Sequence, residues 1–130
     1  MATYYNFSDG AKSRAWRSSI TQMTWPTGAG HAAQTETIAA NGEIKMICIR
    51  ISSVTANPTV TTAITDAQGN AVFTITAAAD GTNYVYMVDD FLPVDGSIIV
   101  TEGLTVSVDP SADAGGSAQT LTVDLDLLGT

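Results

Sequence analysis

The side chains that most often carry out catalysis are few in this sequence, and they are not grouped. The only histidine, His31, lies in a stretch rich in glycine and alanine, with no nucleophile elbow or metal-binding pair beside it. Two pairs of carboxylates occur, Asp89 with Asp90 and Asp124 with Asp126. The second pair lies on the polar side of an alternating segment, so we expect both aspartates to be solvated rather than catalytic. Because nucleotide-binding and zinc-binding motifs are also missing from the sequence, we predict that the protein is not an enzyme.

Calcium is the one cofactor that the acidic residues bring into question. Asp109, Ser111 and Asp113 offer oxygen ligands in a glycine-rich loop, as do the aspartates around Pro93. Neither group matches the ligand spacing of a defined calcium loop. The alternative is that these aspartates initiate turns through their side-chain hydrogen bonds. We predict no cofactor, and whether a calcium ion binds near Asp109 and Asp113 is left open.

The length and the cysteine content indicate one domain that is stabilised by its core. A chain of 130 residues can bury a hydrophobic core without disulfides or metals. The single cysteine, Cys48, cannot form an intrachain disulfide, and its apolar neighbours predict a buried, inert thiol.

The charged residues are distributed unevenly along the chain. The net charge is −8, yet all five basic residues lie within the first fifty positions, and positions 51–130 hold ten acidic residues. An acidic body repels phosphate backbones and anionic lipid, so we expect neither nucleic acid nor a membrane as a partner. The N-terminus also lacks the pattern of a secretory signal, and we expect synthesis in a cytoplasm.

Apolar and polar residues alternate along most of the chain after residue 19, which is the pattern of half-buried β-strands. The strands are predicted at Ile20–Trp25, Ile44–Ser53, Thr59–Thr65, Ala71–Thr76, Asn83–Val88, Ser97–Thr101, Leu104–Val108 and Gln119–Leu127. The fold class that follows is all-β, an antiparallel β-sandwich or jelly roll of about eight or nine short strands.

The alternation also predicts which side chains form the core. We expect an inward face composed of Leu121, Val123, Leu125 and Leu127, together with Leu104, Val106, Val108, Phe73 and Ile75. The segment around Cys48 differs because it is apolar on both sides, with Ile47, Ile49 and Ile51 on one face and Met46 and Cys48 on the other. Such a strand belongs in the middle of the structure or at a subunit contact.

Two tight turns are predicted from their residue types. Asn41-Gly42 separates two apolar segments, and Asp66 to Gly69 places aspartate first and glycine fourth in a turn. We expect both to connect the strands of a hairpin.

Residues 1–19 precede the alternating pattern and are predicted to form an N-terminal arm, with residues 20–130 as the β-sandwich domain. The arm combines aromatic rings with cations and has no obvious place in one sandwich, so a neighbouring subunit or a capsid is expected to cover it. The predicted contact residues are Tyr4, Tyr5, Phe7, Lys12, Arg14, Trp16 and Arg17.

Ile64 to Leu128 resembles the small virion structural proteins of tailed bacteriophages. The resemblance lies in the Thr/Ala/Gly-rich, lysine-poor style of the segments 65–73, 92–100, 103–108 and 121–125. It implies a non-enzymatic particle component, a capsid decoration or cement protein that stabilises the head by binding its outer surface. The implied partners are the major capsid protein or other virion subunits, and copies of this chain in a homo-oligomer such as a trimer. The implied location is the virion, after synthesis in the host cell cytoplasm.

Two other functions remain open from the sequence. A head-to-tail connector or a tail component would share the same composition but assemble as a ring. A carbohydrate-binding β-sandwich module would use exposed aromatic side chains as a stacking platform, for which the candidates are Tyr4, Tyr5, Trp16, Trp25, Tyr84 and Tyr86.

Overall fold

The computed structural model describes residues 15–87 and 98–130, and it confirms the all-β antiparallel sandwich. The described residues form ten strands: β1 (Trp16–Ser19), β2 (Met23–Pro26), β3 (Gln34–Ile38), β4 (Gly42–Ile51), β5 (Thr59–Asp66), β6 (Ala71–Ala79), β7 (Asn83–Met87), β8 (Ile98–Val100), β9 (Leu104–Pro110) and β10 (Thr120–Gly129). Every strand pairing is antiparallel. Within these two ranges no helix is long and apolar enough to cross a membrane.

The first sheet, here called sheet A, is built around the two ten-residue strands β4 and β10. They pair with each other along most of their length. β1 and β2 follow one another along the far side of β10, and β7 and β8 do the same along the far side of β4. Sheet A therefore contains six strands but is four strands wide.

The second sheet, sheet B, has the order β3-β9-β5-β6. It includes the hairpin of β5 and β6, which confirms the turn predicted at Asp66 to Gly69. The backbone N–H of Gly69 donates to the carbonyl of Asp66 at 3.0 Å, and the Asp66 carboxylate accepts the backbone N–H groups of Gln68 and Asn70. The turn thus forms as its aspartate and glycine predict.

The core lies between the two sheets, and the predicted inward face is confirmed. Ile75 is partly buried against the core, and the other eight side chains are buried. The largest fully buried side chains come from two strands of each sheet: Ile44, Ile47, Ile49, Leu121, Val123, Leu125 and Leu127 from sheet A, and Val60, Ile64, Leu104, Val106 and Val108 from sheet B. Within a strand, most of them are separated by one or three residues, because successive side chains of a strand point to opposite faces. Ile44 and Ile47 are the exception, because a register shift against β10 leaves an extra residue in β4 between them.

The prediction of a hairpin at Asn41-Gly42 is wrong. The preceding strand β3 pairs with β9 in sheet B, whereas β4 belongs to sheet A. Gly42 begins β4 at a positive φ of 122°, and a β-carbon there would lie 2.5 Å from the carbonyl oxygen of Thr130. The glycine thus permits a crossing between sheets and a close approach to the C-terminus, rather than a two-residue turn.

Strand boundaries at the N-terminal side also differ from the prediction. Trp16–Ser19, predicted as the end of the arm, forms β1 and pairs with the end of β10. Only the second half of the predicted strand Ile20–Trp25 lies in a strand, β2. β3 was not predicted, because Gln34–Ile38 contains a single apolar residue. Residues 1–14 lie outside the described residues, so the arm itself stays a prediction.

Candidate assembly surface

The face of sheet A that points away from the core carries both ion pairs and exposed apolar side chains, and we call it the outer face. Its position follows from alternation: between the buried Ile47, Ile49 and Ile51 of β4, the intervening side chains must point outward. The outer face contains Arg17 and Ser19 of β1, Asp124, Asp126 and Leu128 of β10, Glu43, Met46, Cys48 and Arg50 of β4, Val85 and Met87 of β7, and Ile99 of β8.

Apolar side chains run across this face from β10 to β7, and Ile99 of β8 lies beside them, opposite Glu43, which forms an ion pair with Lys45. Met46 lies opposite Leu128 on one side and Met87 on the other, and Cys48 lies opposite Val85. Val85 is 61% exposed, Met87 42% and Ile99 74%, and these three are the exposed large apolar side chains of the described residues. We call the six residues Met46, Cys48, Val85, Met87, Ile99 and Leu128 the apolar strip. The strand of Cys48 is predicted to lie in the middle of the structure or at a subunit contact. Its isoleucines do lie in the core, while Met46 and Cys48 on its other face are half-buried.

A buried carboxylate lies beside the strip. The side chain of Asp126 is 5% exposed and is held by two arginines that approach from opposite strands. Its Oδ2 accepts a hydrogen bond from Arg17 Nη2 at 2.7 Å and one from Arg50 Nη2 at 2.9 Å, while its Oδ1 accepts the hydroxyl of Ser19. The prediction that Asp126 is solvated is therefore wrong, because neighbouring side chains replace the water around its charge.

The environment of Asp126 stabilises its charged form. Burial alone raises the pKa of this carboxyl, but the hydrogen bonds from Ser19, Arg17 and Arg50 outweigh that effect and lower the pKa from 3.8 to about 2. The hydrogen bond between Arg50 and Asp126 raises the pKa of Arg50. Asp126 is thus an ionised structural group, and it is not poised for proton transfer near neutral pH.

The neighbouring Asp124 is held less tightly. It is only half-buried, and its carboxylate accepts hydrogen bonds at 3.2 Å from the amide of Gln22. The two carboxylates thus share a face of β10 but differ in their environment. No signal in the local sequence distinguishes them, because the arginines that surround Asp126 are 109 and 76 positions away.

The structure describes two of the seven predicted contact residues, Trp16 and Arg17. Trp16 packs against the core of its own domain, where its indole lies over Gly129 and close to Gly42. Its Nε1 is buried and has no hydrogen-bond partner among the described residues. The other five predicted contact residues, Tyr4, Tyr5, Phe7, Lys12 and Arg14, lie outside the described residues.

Cys48 is half-buried on the outer face, rather than fully buried as predicted. Its cross-strand partners are Asp126 and Val85. The thiol therefore lies between the apolar strip and the ion pairs of Asp126 with Arg17 and Arg50, which we call the ionic cluster. Its predicted inertness stays a prediction.

The described aromatic side chains pack inward, which bears on the carbohydrate-binding alternative. Trp25 is 3% exposed and donates its indole N–H to the carbonyl of Ala32. Tyr84 and Tyr86 stack with their ring centroids 6.0 Å apart and pack against the core. Within residues 15–87 and 98–130, no aromatic ring is presented as an exposed sugar platform.

The carboxylate of Asp113 connects two loops by hydrogen bonds to their backbone. The carboxylate accepts backbone N–H groups from Gly28, Gly30 and Gly115, which join two loops at one end of the sandwich. These hydrogen bonds lower the pKa of Asp113. The turn interpretation is confirmed for this aspartate. Nearby, His31 Nδ1 lies 3.1 Å from the carbonyl of Pro110, and the described residues contain no cluster of three or more metal-binding side chains.

The chain resembles solved structures of infectious bursal disease virus. The structure of the Gx strain matches with a TM-score of 0.45 at 15% sequence identity, and that of the Gt strain with a TM-score of 0.41 at 16%. Each match covers 88% of this chain and 31% of the viral chain, so this chain spans about a third of the length of the viral chains. Neither the protein-family models nor the curated proteins contain a match.

Proposed function

We propose that the protein is a non-enzymatic structural component of a bacteriophage virion, and that it acts as a capsid decoration or cement protein on the outer surface of the head. The observation that carries the proposal is the apolar strip. Sheet A has already buried one face in the core, yet Val85, Met87 and Ile99 stay exposed on the other. Exposed apolar side chains collected on one face are typical of a surface that another protein covers.

The class of the partner follows from the sequence and from the charge. The resemblance of Ile64 to Leu128 to small phage virion proteins favours the major capsid protein or other virion subunits, and further copies of this chain in a homo-oligomer such as a trimer. The net charge of −8 disfavours nucleic acid and anionic lipid. The protein would be made in the host cytoplasm and would function in the virion.

The ionic cluster gives the docking surface a defined polar border. Asp126 is neutralised by Arg17 and Arg50, whose side chains remain 63% and 41% exposed. Each guanidinium has five N–H donors, so donors remain for carboxylates or carbonyls of a partner. An apolar centre with a polar rim is the usual composition of a specific protein interface.

Co-sedimentation with phage heads that lack the protein tests this proposal, with light scattering after size exclusion to give the oligomeric state. We expect the chain to bind heads, and Ile99→Asp to weaken binding by about tenfold or more, because a charge would be buried in the interface. Thr74→Asp is the matched control, since Thr74 is an exposed strand residue of sheet B. A ring that binds only the neck or tail would favour a connector. A monomer that binds glycans and not heads would overturn the proposal.

A further inference from the structure

We propose that, in the free protein, two copies of this chain pack face to face through the outer face of sheet A, with the apolar strip of one copy on that of the other. The inference deepens the proposed function and rests on it in one respect, because a phage head would have to displace the second copy from the same face. The second copy is indicated by the distribution of charge, by the symmetry of the strip and by the area of the face.

The charges of the described residues fall into two groups. The described ranges contain three lysine and arginine residues, all in sheet A: Arg17, Lys45 and Arg50. Three carboxylates of the same sheet lie beside them and balance their charge: Glu43, Asp124 and Asp126. The six remaining carboxylates of the described ranges lie in sheet B or in loops, where the described residues include no lysine or arginine: Glu36, Asp66, Asp80, Glu102, Asp109 and Asp113.

This division of charge makes the outer face the side by which two copies can meet. Contact through sheet B would bring like charges together, which opposes association. Contact through the outer face brings balanced charges together and keeps the acidic group on the far side of each copy. Arg17 and Arg50 have N–H donors to spare, and Asp124 accepts only long hydrogen bonds from Gln22. Each copy therefore offers both donors and acceptors to an identical face.

The apolar strip is arranged about β4, so that an identical strip can cover it. Met46 of β4 lies between Leu128 of β10 and Met87 of β7. A two-fold axis along β4 would exchange the two sides, and it would place Leu128 of one copy over Met87 of the other. Such exchanged contacts are the rule at two-fold interfaces. Sheets that face each other pack about 10 Å apart with interdigitated side chains, so the two strips would be in contact.

The area of the outer face suits a reversible dimer. Sheet A is four strands wide, and its two central strands are ten residues long. At the usual strand spacing and rise, these dimensions correspond to about 600 Å² for each copy. The pair would bury about 1,200 Å² in total, which is the lower end of the range for specific protein interfaces. We therefore expect an association that is weak enough for a head to compete with.

Sedimentation velocity of the full-length protein, at about 1 μM to 1 mM and without phage heads, tests the inference. We expect the mass to rise with concentration from that of one copy, 13.5 kDa, towards twice that value. Val85→Asp should raise the dissociation constant by about tenfold or more, because the new charge would be buried in the interface. Thr74→Asp is the matched control, since it adds the same charge at an exposed position of sheet B. It should change the dissociation constant by less than about threefold.

Cys48 reports on the same contact, since it is the only cysteine and lies within the strip. Its labelling by a maleimide should become about tenfold slower at concentrations where nine-tenths of the copies are paired. A protein that stays monomeric up to about 1 mM would overturn the inference. A trimer, a dimer that Val85→Asp leaves intact, or a labelling rate that does not depend on concentration would overturn it as well.

The two proposals fail separately. A dimer that does not bind heads would reject the proposed function and leave this inference standing. A protein that binds heads but stays monomeric on its own would do the reverse.

Discussion

The Asp126→Asn substitution removes the negative charge that Arg17 and Arg50 share on the outer face while keeping the size of the side chain. The folded protein holds the pKa of Asp126 at about 2, compared with an ordinary value of 3.8. Since each pKa unit is worth about 1.4 kcal/mol, the charged carboxylate contributes about 2 kcal/mol to the free energy of unfolding at neutral pH. That is a large share of a typical total of about 5–15 kcal/mol.

The sign of the pH dependence is determined by the lowered pKa. The unfolded chain takes up a proton near the ordinary pKa, whereas the folded chain does so only near pH 2. The stabilisation is therefore fully present above about pH 4 and is lost as the pH falls to about 2. Urea unfolding followed by tryptophan fluorescence should show Asp126→Asn less stable by about 2 kcal/mol near neutral pH, with the difference shrinking towards about pH 2.

Asp124→Asn is the matched control, because it makes the same chemical change two residues earlier on the same strand face. Asp124 is half-buried and bonds only weakly, at 3.2 Å, to Gln22, so we expect a change below about 0.5 kcal/mol. The reasoning would be refuted if Asp126→Asn were as stable as the parent near neutral pH, or if the difference between them did not depend on pH.

Three further predictions concern the core, the lone histidine and a crowded glycine. Val123→Asp should abolish soluble expression, because Val123 is fully buried and an unpaired buried charge costs several kcal/mol; Thr122→Asp, on the other face of β10, should stay soluble. His31→Ala should leave head binding intact and change the free energy of unfolding by less than about 1 kcal/mol, since His31 is exposed; a large loss of binding would contradict this. Gly42→Ala should cost at least about 2 kcal/mol more in urea unfolding than Gly28→Ala, because both have positive φ but only Gly42 has a backbone oxygen 2.5 Å from the new β-carbon; equal costs would contradict the crowding.

The parts of the fold that could be predicted are those that depend on local patterns. The inward face of β10 and β9 follows from alternation, because a strand with one buried face must place apolar residues at every second position. The β5–β6 hairpin follows from the side chain of Asp66, which satisfies two backbone N–H groups of its own turn. In both cases the physical cause lies within about ten residues of sequence.

The parts that could not be predicted depend on contacts between distant segments. Asn41-Gly42 has the composition of a hairpin turn, but the pairing of β3 with β9 leads the chain from one sheet to the other. The burial of Asp126 requires Arg17 and Arg50, which only the strand order of sheet A brings to the same carboxylate. Strand order is not encoded in the period of the side chains, so neither result was within reach of the sequence pattern.

The position of β1 connects the ionic cluster to the assembly surface. β1 is a four-residue edge strand whose apolar contact with the core comes from Trp16. Ser19 and Arg17, both on β1, bond to the buried carboxylate of Asp126 in the neighbouring strand, which adds side-chain anchors to the backbone ladder with β10. The buried carboxylate thus has a structural use: it joins β1 on one side and β4 on the other to β10, at the border of the outer face.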